Sequence, residues 1–244
     1  MEINQLQNLL NQFRDDVKFE YDLKKKNWFN IGGKSKVYYR ANNLKDLIKF
    51  LKKINENEKI FILGAGSNTL ITDNLYNGVV IKLSKDFNNI SLLKDDIIIA
   101  GSGVLDKTLS EFALKNNLSG FEFLSCIPGT VGGGIRMNAG CFGKEFQDIL
   151  LSIQAIDKKG NVITIPKKNI KFEYRKNDLS EDLIFLSASF KGIKSNYNKI
   201  KNEMNKLKIE KERNQPTRIK TSGSTFKNPI LQTKKKVWEL IKES

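Results

Sequence analysis

Ile127-Pro128-Gly129-Thr130-Val131-Gly132-Gly133-Gly134 is the stretch on which the reading of this chain turns. Three consecutive glycines just after a Pro-Gly turn give up much backbone entropy on ordering, so their presence needs a reason. Asn138-Ala139-Gly140 and Gly143 extend the same small-residue surface. Backbone this poor in side chains suits close approach to a flat or anionic ligand. A tightly packed crossover without a ligand is the alternative. On either reading, Ile127 to Gly143 is expected to be loop.

A second glycine-rich stretch lies upstream. Gly64-Ala65-Gly66-Ser67-Asn68 follows Lys59-Ile60-Phe61-Ile62-Leu63, which reads as a strand. Successive backbone N–H groups in such a turn can bind a diphosphate. It is not a dinucleotide fingerprint, because Thr69 stands where the third glycine belongs. Taken alone, it is equally well a plain tight turn.

Apolar periodicity organises the rest. Ile3, Leu6, Leu9, Leu10 and Phe13 predict a helix, as do Leu44, Leu47, Ile48 and Leu51, and Leu105 to Asn117. Residues 37–39, 79–81, 97–100, 149–156, 162–165 and 184–190 predict strands, with a turn at Lys159-Gly160-Asn161. Asn198 to Arg213 reads as a polar helix ended by Pro216, Ser222 to Pro229 as a loop, and Lys236 to Lys242 as a short helix. The alternation is loose, so the fold class is α+β. The expected organisation is a lobe at 1–85, a second lobe at 86–195, and a further lobe starting at 196.

Composition excludes several chemistries. Histidine is absent from the 244 residues, which removes histidine bases, Ser-His triads and histidyl-linked flavin. Cys126 and Cys141 lack metal-ligand spacing, and two thiols in a chain this long make no disulfide framework. They read as small loop or core residues, and no metal site is expected. The net charge of +15 raises the question of nucleic acid, but the longest basic runs, Lys24–Lys26 and Lys234–Lys236, are three residues long. No basic stripe interleaved with aromatic residues occurs, so most of this charge reads as solvated surface. No run of 18 apolar residues and no secretory signal pattern occurs, so a cytoplasmic protein without membrane association is expected.

GAGSN followed by IPGTVGG and NAG is similar to the flavin-binding domain of the UDP-N-acetylenolpyruvoylglucosamine reductase family. Three further motifs occur in that family's order. Trp28-Phe29-Asn30-Ile31-Gly32-Gly33 looks like its opening motif, with Asn30 in place of the usual Thr. Tyr174-Arg175 sits at its Tyr-Arg pair. Ser222-Gly223-Ser224-Thr225-Phe226-Lys227-Asn228-Pro229, preceded by Gln215-Pro216, looks like its catalytic-serine motif.

The resemblance implies a two-lobed FAD-binding domain of the vanillyl-alcohol-oxidase-like (PCMH) type over about residues 30–195, followed by an α/β substrate-binding domain that is incomplete at Ser244. It implies FAD as cofactor, NADPH as reductant and a UDP-sugar enolpyruvyl ether as substrate. Cofactor contacts fall on Gly64, Ala65, Gly66, Ser67, Asn68, Ile127, Pro128, Gly129, Thr130, Gly132, Gly133, Asn138, Ala139 and Gly140, with the diphosphate against the N–H groups of 64–68 and 129–134. Arg175 is the candidate for stabilising an enolate and Ser224 for donating a proton, while Tyr174, Lys227 and Asn228 fall in substrate contact. The family also carries a catalytic Glu in a segment that would follow Ser244, and the spacing from Arg175 to Ser224 matches the subclass without an extra substrate-covering loop. The 244 residues are accordingly expected to bind FAD and to turn over poorly. A monomer is expected. The rival readings are another flavin oxidoreductase of the same fold acting on an alcohol or lactone, and a basic nucleic-acid-binding protein.

Overall fold

The computed structural model describes residues 3–214, 226–229, 232–233, 235 and 237–244. The chain opens with α1 (Ile3–Leu10) and a 3-10 turn at Asn11–Phe13. It then runs through β1 (Val17–Asp22), β2 (Lys34–Ala41), α2 (Leu44–Lys53), β3 (Ile60–Ile62) and β4 (Tyr76–Leu83). These strands form one sheet in the order β1-β2-β4-β3, antiparallel between β1 and β2 and parallel elsewhere. α2 starts where Asn43 Oδ1 accepts the Asp46 N–H at 2.8 Å, a cap worth about 1 kcal/mol. Its apolar stripe buries Leu47, Phe50 and Leu51. Phe50 stacks on Tyr39 at 3.9 Å, and Phe13 meets both rings edge-on. Such pairs add about 0.5–1.5 kcal/mol each beyond their area.

The second part continues with β5 (Ile90–Leu93), β6 (Ile97–Gly101), α3 (Asp106–Lys115), β7 (Leu118–Ser119), a 3-10 turn at Glu122–Cys126 and α4 (Val131–Arg136). Next come β8 (Gly140–Cys141), β9 (Lys144–Glu145), α5 (Phe146–Ile149), β10 (Leu150–Ile156), β11 (Val162–Pro166), β12 (Phe172–Glu173) and β13 (Lys176–Asn177). β14 (Ile184–Lys191), β15 (Ile193–Lys194), α6 (Tyr197–Asn214) and α7 (Val237–Glu243) complete the chain. A five-stranded antiparallel sheet, β11-β10-β14-β6-β5, backs this part, and two-residue hairpins β8–β9 and β12–β13 stand beside it. Helices and sheets mix as the α+β reading expects. Ile156, Ile184 and Leu186 of the second sheet are buried in the same apolar cluster as Val79 and Ile81 of the first and Leu47 of α2, so the two sheets share a core. No helix among the described residues is long and apolar enough to cross a membrane.

One expectation needs correction. Ile127–Gly143 is not all loop, since Val131–Arg136 is helical and Gly140–Glu145 is a tight hairpin. Glycine is a poor helix former, so propensity alone argues against α4. Tertiary partners override it: Val131 N–H donates to Val104 O at 2.9 Å and Gly132 N–H to Ser102 O at 2.9 Å, satisfying donors that a helix start leaves orphaned.

Candidate functional site

The loop after β3 is the least satisfied stretch of backbone around the site. No N–H of Gly64, Ala65, Gly66, Ser67 or Asn68 donates to any group among the described residues. Gly66 adopts φ +69°, which only glycine takes without strain, and its carbonyl accepts the Trp28 N–H at 3.0 Å. The opening-motif loop is itself held by Asn27, whose amide donates to the carbonyls of Leu23 and Ile31 at 3.2 and 2.7 Å. Lys82, on β4, reaches under the loop and donates to Gly64 O. Burial, and then the neighbouring Lys26, lower its pKa. Neither lysine forms an ion pair with a carboxylate among the described residues. Five N–H groups without a partner among the described residues, beside the Lys82 ammonium, form a cradle that fits a diphosphate.

The triple-glycine segment lies against this cradle, because a Cβ at Gly64 would come within 2.7 Å of Thr130 Oγ1. Its N–H groups, however, are mostly spent inside the protein. Gly129 donates to Ile127 O and Gly134 to Thr130 O, in addition to the bonds of Val131 and Gly132 given above. Of the expected diphosphate contacts at 129–134, only the Thr130 and Gly133 N–H groups are thus unengaged among the described residues. Most of these glycines are small to pack against protein: a Cβ on Gly134 would lie 2.2 Å from the Phe146 ring. Gly133 differs, since only Thr130 Oγ1 at 3.5 Å faces it.

The NAG segment is likewise committed to the protein. Asn138 is fully buried at φ +38°; its amide donates to Glu145 Oε2 at 2.8 Å and to Glu173 O at 3.1 Å, and its Oδ1 accepts the Gln147 N–H. Both amide hydrogens are spent inside the protein, and the buried side chain holds the turn in shape. Ala139 donates to Gly134 O and accepts from Phe146 N–H. What this segment presents outward is carbonyl oxygen. Arg175, at the turn of β12–β13, donates from Nη2 to Gly140 O at 3.0 Å and from Nη1 to Asn138 O at 3.4 Å. Its guanidinium carbon lies 5.0 Å from the centre of the Tyr174 ring. Glycine segment, NAG segment and Tyr-Arg pair, far apart in sequence, are thus brought together.

Lys227 and Asn228 are not joined to this group by any hydrogen bond among the described residues. Lys227 is exposed, and Asn228 Oδ1 caps α7 by accepting the Val237 N–H at 3.1 Å. Ser224 lies outside the described residues. Lys26 and Lys82 escaped the sequence reading. The available signal for Lys82 was a lone charge inside the apolar run Val79-Val80-Ile81-Lys82-Leu83.

Asp106 is a buried cost beside the same loop. It is fully buried, neither carboxyl oxygen has a hydrogen-bond partner, and burial holds its pKa well above the usual carboxylate range. Well below pH 4, the carboxyl is neutral in both folded and unfolded chains. As pH rises, the unfolded chain ionises first, so the native state loses stability until pH passes the folded pKa. Each unit of upward shift costs about 1.36 kcal/mol at high pH. Asp106→Asn should therefore stabilise the fold by about 1–3 kcal/mol near pH 8, with the gain vanishing as pH falls to about 3, below the unfolded pKa. Urea unfolding at both pH values checks this, and an equal shift at the two would mean that ionisation of Asp106 is not the cause.

Comparison with known proteins fits this geometry. Residues 35–166 match a family model described as an FAD binding domain, which takes in both the cradle and the triple-glycine segment. The UDP-N-acetylenolpyruvoylglucosamine reductase of Pelagibacter ubique (strain HTCC1062) is 64% identical over 244 residues, covering 100% of this chain and 81% of the relative. The chain belongs to the UDP-N-acetylenolpyruvoylglucosamine reductase family. The reductase of the same name from Rickettsia typhi (strain ATCC VR-144 / Wilmington) is 44% identical over 228 residues, 93% of this chain and 76% of that one. The crystal structure of the Thermus caldophilus reductase superposes with a TM-score of 0.80 at 27% identity, over 93% of this chain and 79% of that chain. As a member of this reductase family the chain is an FAD-dependent oxidoreductase.

Proposed function

We propose that the chain reduces the enolpyruvyl ether of UDP-N-acetylglucosamine-enolpyruvate to the lactyl ether of UDP-N-acetylmuramate, with NADPH as reductant, in peptidoglycan precursor synthesis. The observation that carries the reading to this site is Arg175, pinned to two carbonyls at the rim of the flavin-binding segment. FAD, when bound, would supply the hydride that the reduction requires. Arg175 holds a fixed guanidinium where negative charge develops beside the substrate carboxylate, and a preorganised cation needs no reorganisation as that charge appears. Residues 64–68, with Lys82, hold the cofactor diphosphate. Gly133 leaves room and an N–H for the flavin. Ser224 donates the proton that completes the reduction; with no histidine in the chain, a hydroxyl beside a strongly basic carbon centre suffices.

The same reading divides the chain into lobes at 1–85 and 86–195 and a substrate domain from 196. It has the protein act as a cytoplasmic monomer, apart from nucleic acid and membranes. The scattered basic residues support that last point. Ser224→Ala, made in a parent chain extended to the full length of its relatives, tests the proposal. NADPH-driven bleaching of the flavin should stay near the parent rate, while reoxidation by the enolpyruvyl substrate should slow about 10²–10⁴-fold. Equal slowing of both half-reactions would assign Ser224 a structural part, and no reoxidation by the enolpyruvyl ether in the parent protein would reject the substrate.

A further inference from the structure

Cys126 and Cys141 read in the sequence as unrelated small residues, and both thiols are free. The fold brings them together. Cys126 ends the 3-10 turn Glu122–Cys126, and Cys141 is the second residue of β8, which packs on that turn. The two thiols are close enough to perturb each other's ionisation, and both sit on the larger apolar core, Cys126 buried and Cys141 half-buried. The cluster around them is polar on its outer side. Lys211 of α6 donates its ammonium to the Cys126 carbonyl, and Ser125 Oγ lies 3.8 Å from Cys126 Sγ. The charges of Glu210 and Arg175 also reach Cys126 and Cys141, respectively.

This arrangement splits the two thiols into unlike halves. The neighbouring Cys141 thiol, followed by Ser125 and the charge of Lys211, lowers the pKa of Cys126 against the opposing effect of burial. The Cys141 thiol is raised, first by the neighbouring Cys126 and then by burial. One sulfur thus has thiolate character beside a second that keeps its proton, which is the pairing of an attacking and a resolving thiol.

We infer that Cys126 and Cys141 form an oxidisable dithiol that small hydroperoxides convert to an intramolecular disulfide. The Cys126 thiolate attacks a peroxide oxygen, the O–O bond breaks, and Cys126 becomes a sulfenic acid while hydroxide or alkoxide leaves and takes up a proton. The Cys141 sulfur then attacks the Cys126 sulfur. The S–S bond forms, the S–O bond breaks, and the departing hydroxide leaves as water with the Cys141 proton. Two thiols lose two electrons and the hydroperoxide gains them. The disulfide ties the residue that leads into Ile127-Pro128-Gly129 to the residue that follows Gly140, on whose carbonyl Arg175 rests. The redox state of the pair is thereby linked to the geometry of both flavin segment and arginine.

The test uses the whole chain and stoichiometric hydrogen peroxide, followed by alkylation and non-reducing peptide mapping. The expected product is a single linked peptide pair, Cys126 to Cys141, lighter by two hydrogens and returned to two free thiols by dithiothreitol. Cys141→Ser should leave a Cys126 sulfenic acid that a cyclic diketone traps. Alkylation of Cys126 should rise with pH through a midpoint below the ordinary thiol value of about 8.5. Two thiols that remain alkylatable after peroxide, cross-links only between molecules, or an unchanged peroxide reaction in Cys126→Ser would each overturn the inference. None of these readouts depends on the identity of the substrate.

Discussion

Arg175→Ala should lower the substrate-driven half-reaction by about 10²–10³-fold, the loss that follows removal of one preorganised group from a developing oxyanion. Flavin content should stay unchanged, because Arg175 contributes no atom to the cradle at 64–68. Arg175→Lys should recover little. A lysine ammonium on a flexible stem cannot span the Gly140 and Asn138 carbonyls while presenting a planar fork outward. The control lies in the backbone. Arg175 sits at φ +60°, a conformation that costs a non-glycine residue about 1–2 kcal/mol. Arg175→Gly should thus be as inactive as Arg175→Ala and at least as stable. Stopped-flow traces of each half-reaction, with urea midpoints beside them, separate the two effects. A variant that loses activity only in proportion to stability would make Arg175 a structural residue.

The second large effect concerns the fold. Gly134→Val should cost about 3 kcal/mol or more and leave little soluble flavoprotein. The Cβ would lie 2.2 Å from Cε2 and 2.6 Å from Cζ of Phe146. That ring cannot yield, since it is fully buried and packed between Phe123 and Phe190 at 6.3 and 6.0 Å. The gain in helix propensity, about 1 kcal/mol at most, does not offset the overlap. Gly133→Ala is the matched comparison. Its Cβ meets only Thr130 Oγ1 at 3.5 Å, so the apoprotein should hold or gain stability while flavin binding weakens. Thermal melts with and without FAD read both. Equal damage from the two substitutions would remove the distinction between a glycine that packs and a glycine that faces the cofactor.

How much of this was legible in the sequence depends on the range of the forces involved. Local periodicity placed α2, α3 and α6 to within a residue or two, because their apolar stripes are written in neighbouring residues. β1 was passed over, although Val17-Lys18-Phe19-Glu20-Tyr21-Asp22 alternates as a half-buried strand should. α4 could not have been read locally, since its first N–H groups are satisfied by carbonyls of residues 102 and 104. The motif order picked out segments that the fold brings together, but not the division of labour within them. Whether a glycine is bare for a ligand or for a phenylalanine depends on what stands opposite. The approach of Cys126 to Cys141 and of Lys82 to Gly64 depends on the same long-range information.

The core shared between the two sheets bears on how the chain is made. Val79 and Ile81 of the first sheet are covered in part by Ile156, Ile184 and Leu186, residues translated about a hundred codons later. On the ribosome the amino-terminal sheet must wait, with that apolar face open to chaperones, until β14 has left the exit tunnel. Nascent chains arrested soon after β11 should accordingly be cut by protease within β2–β4, whereas chains arrested well past α6 should resist. Early resistance would mean that the first sheet closes its core unaided.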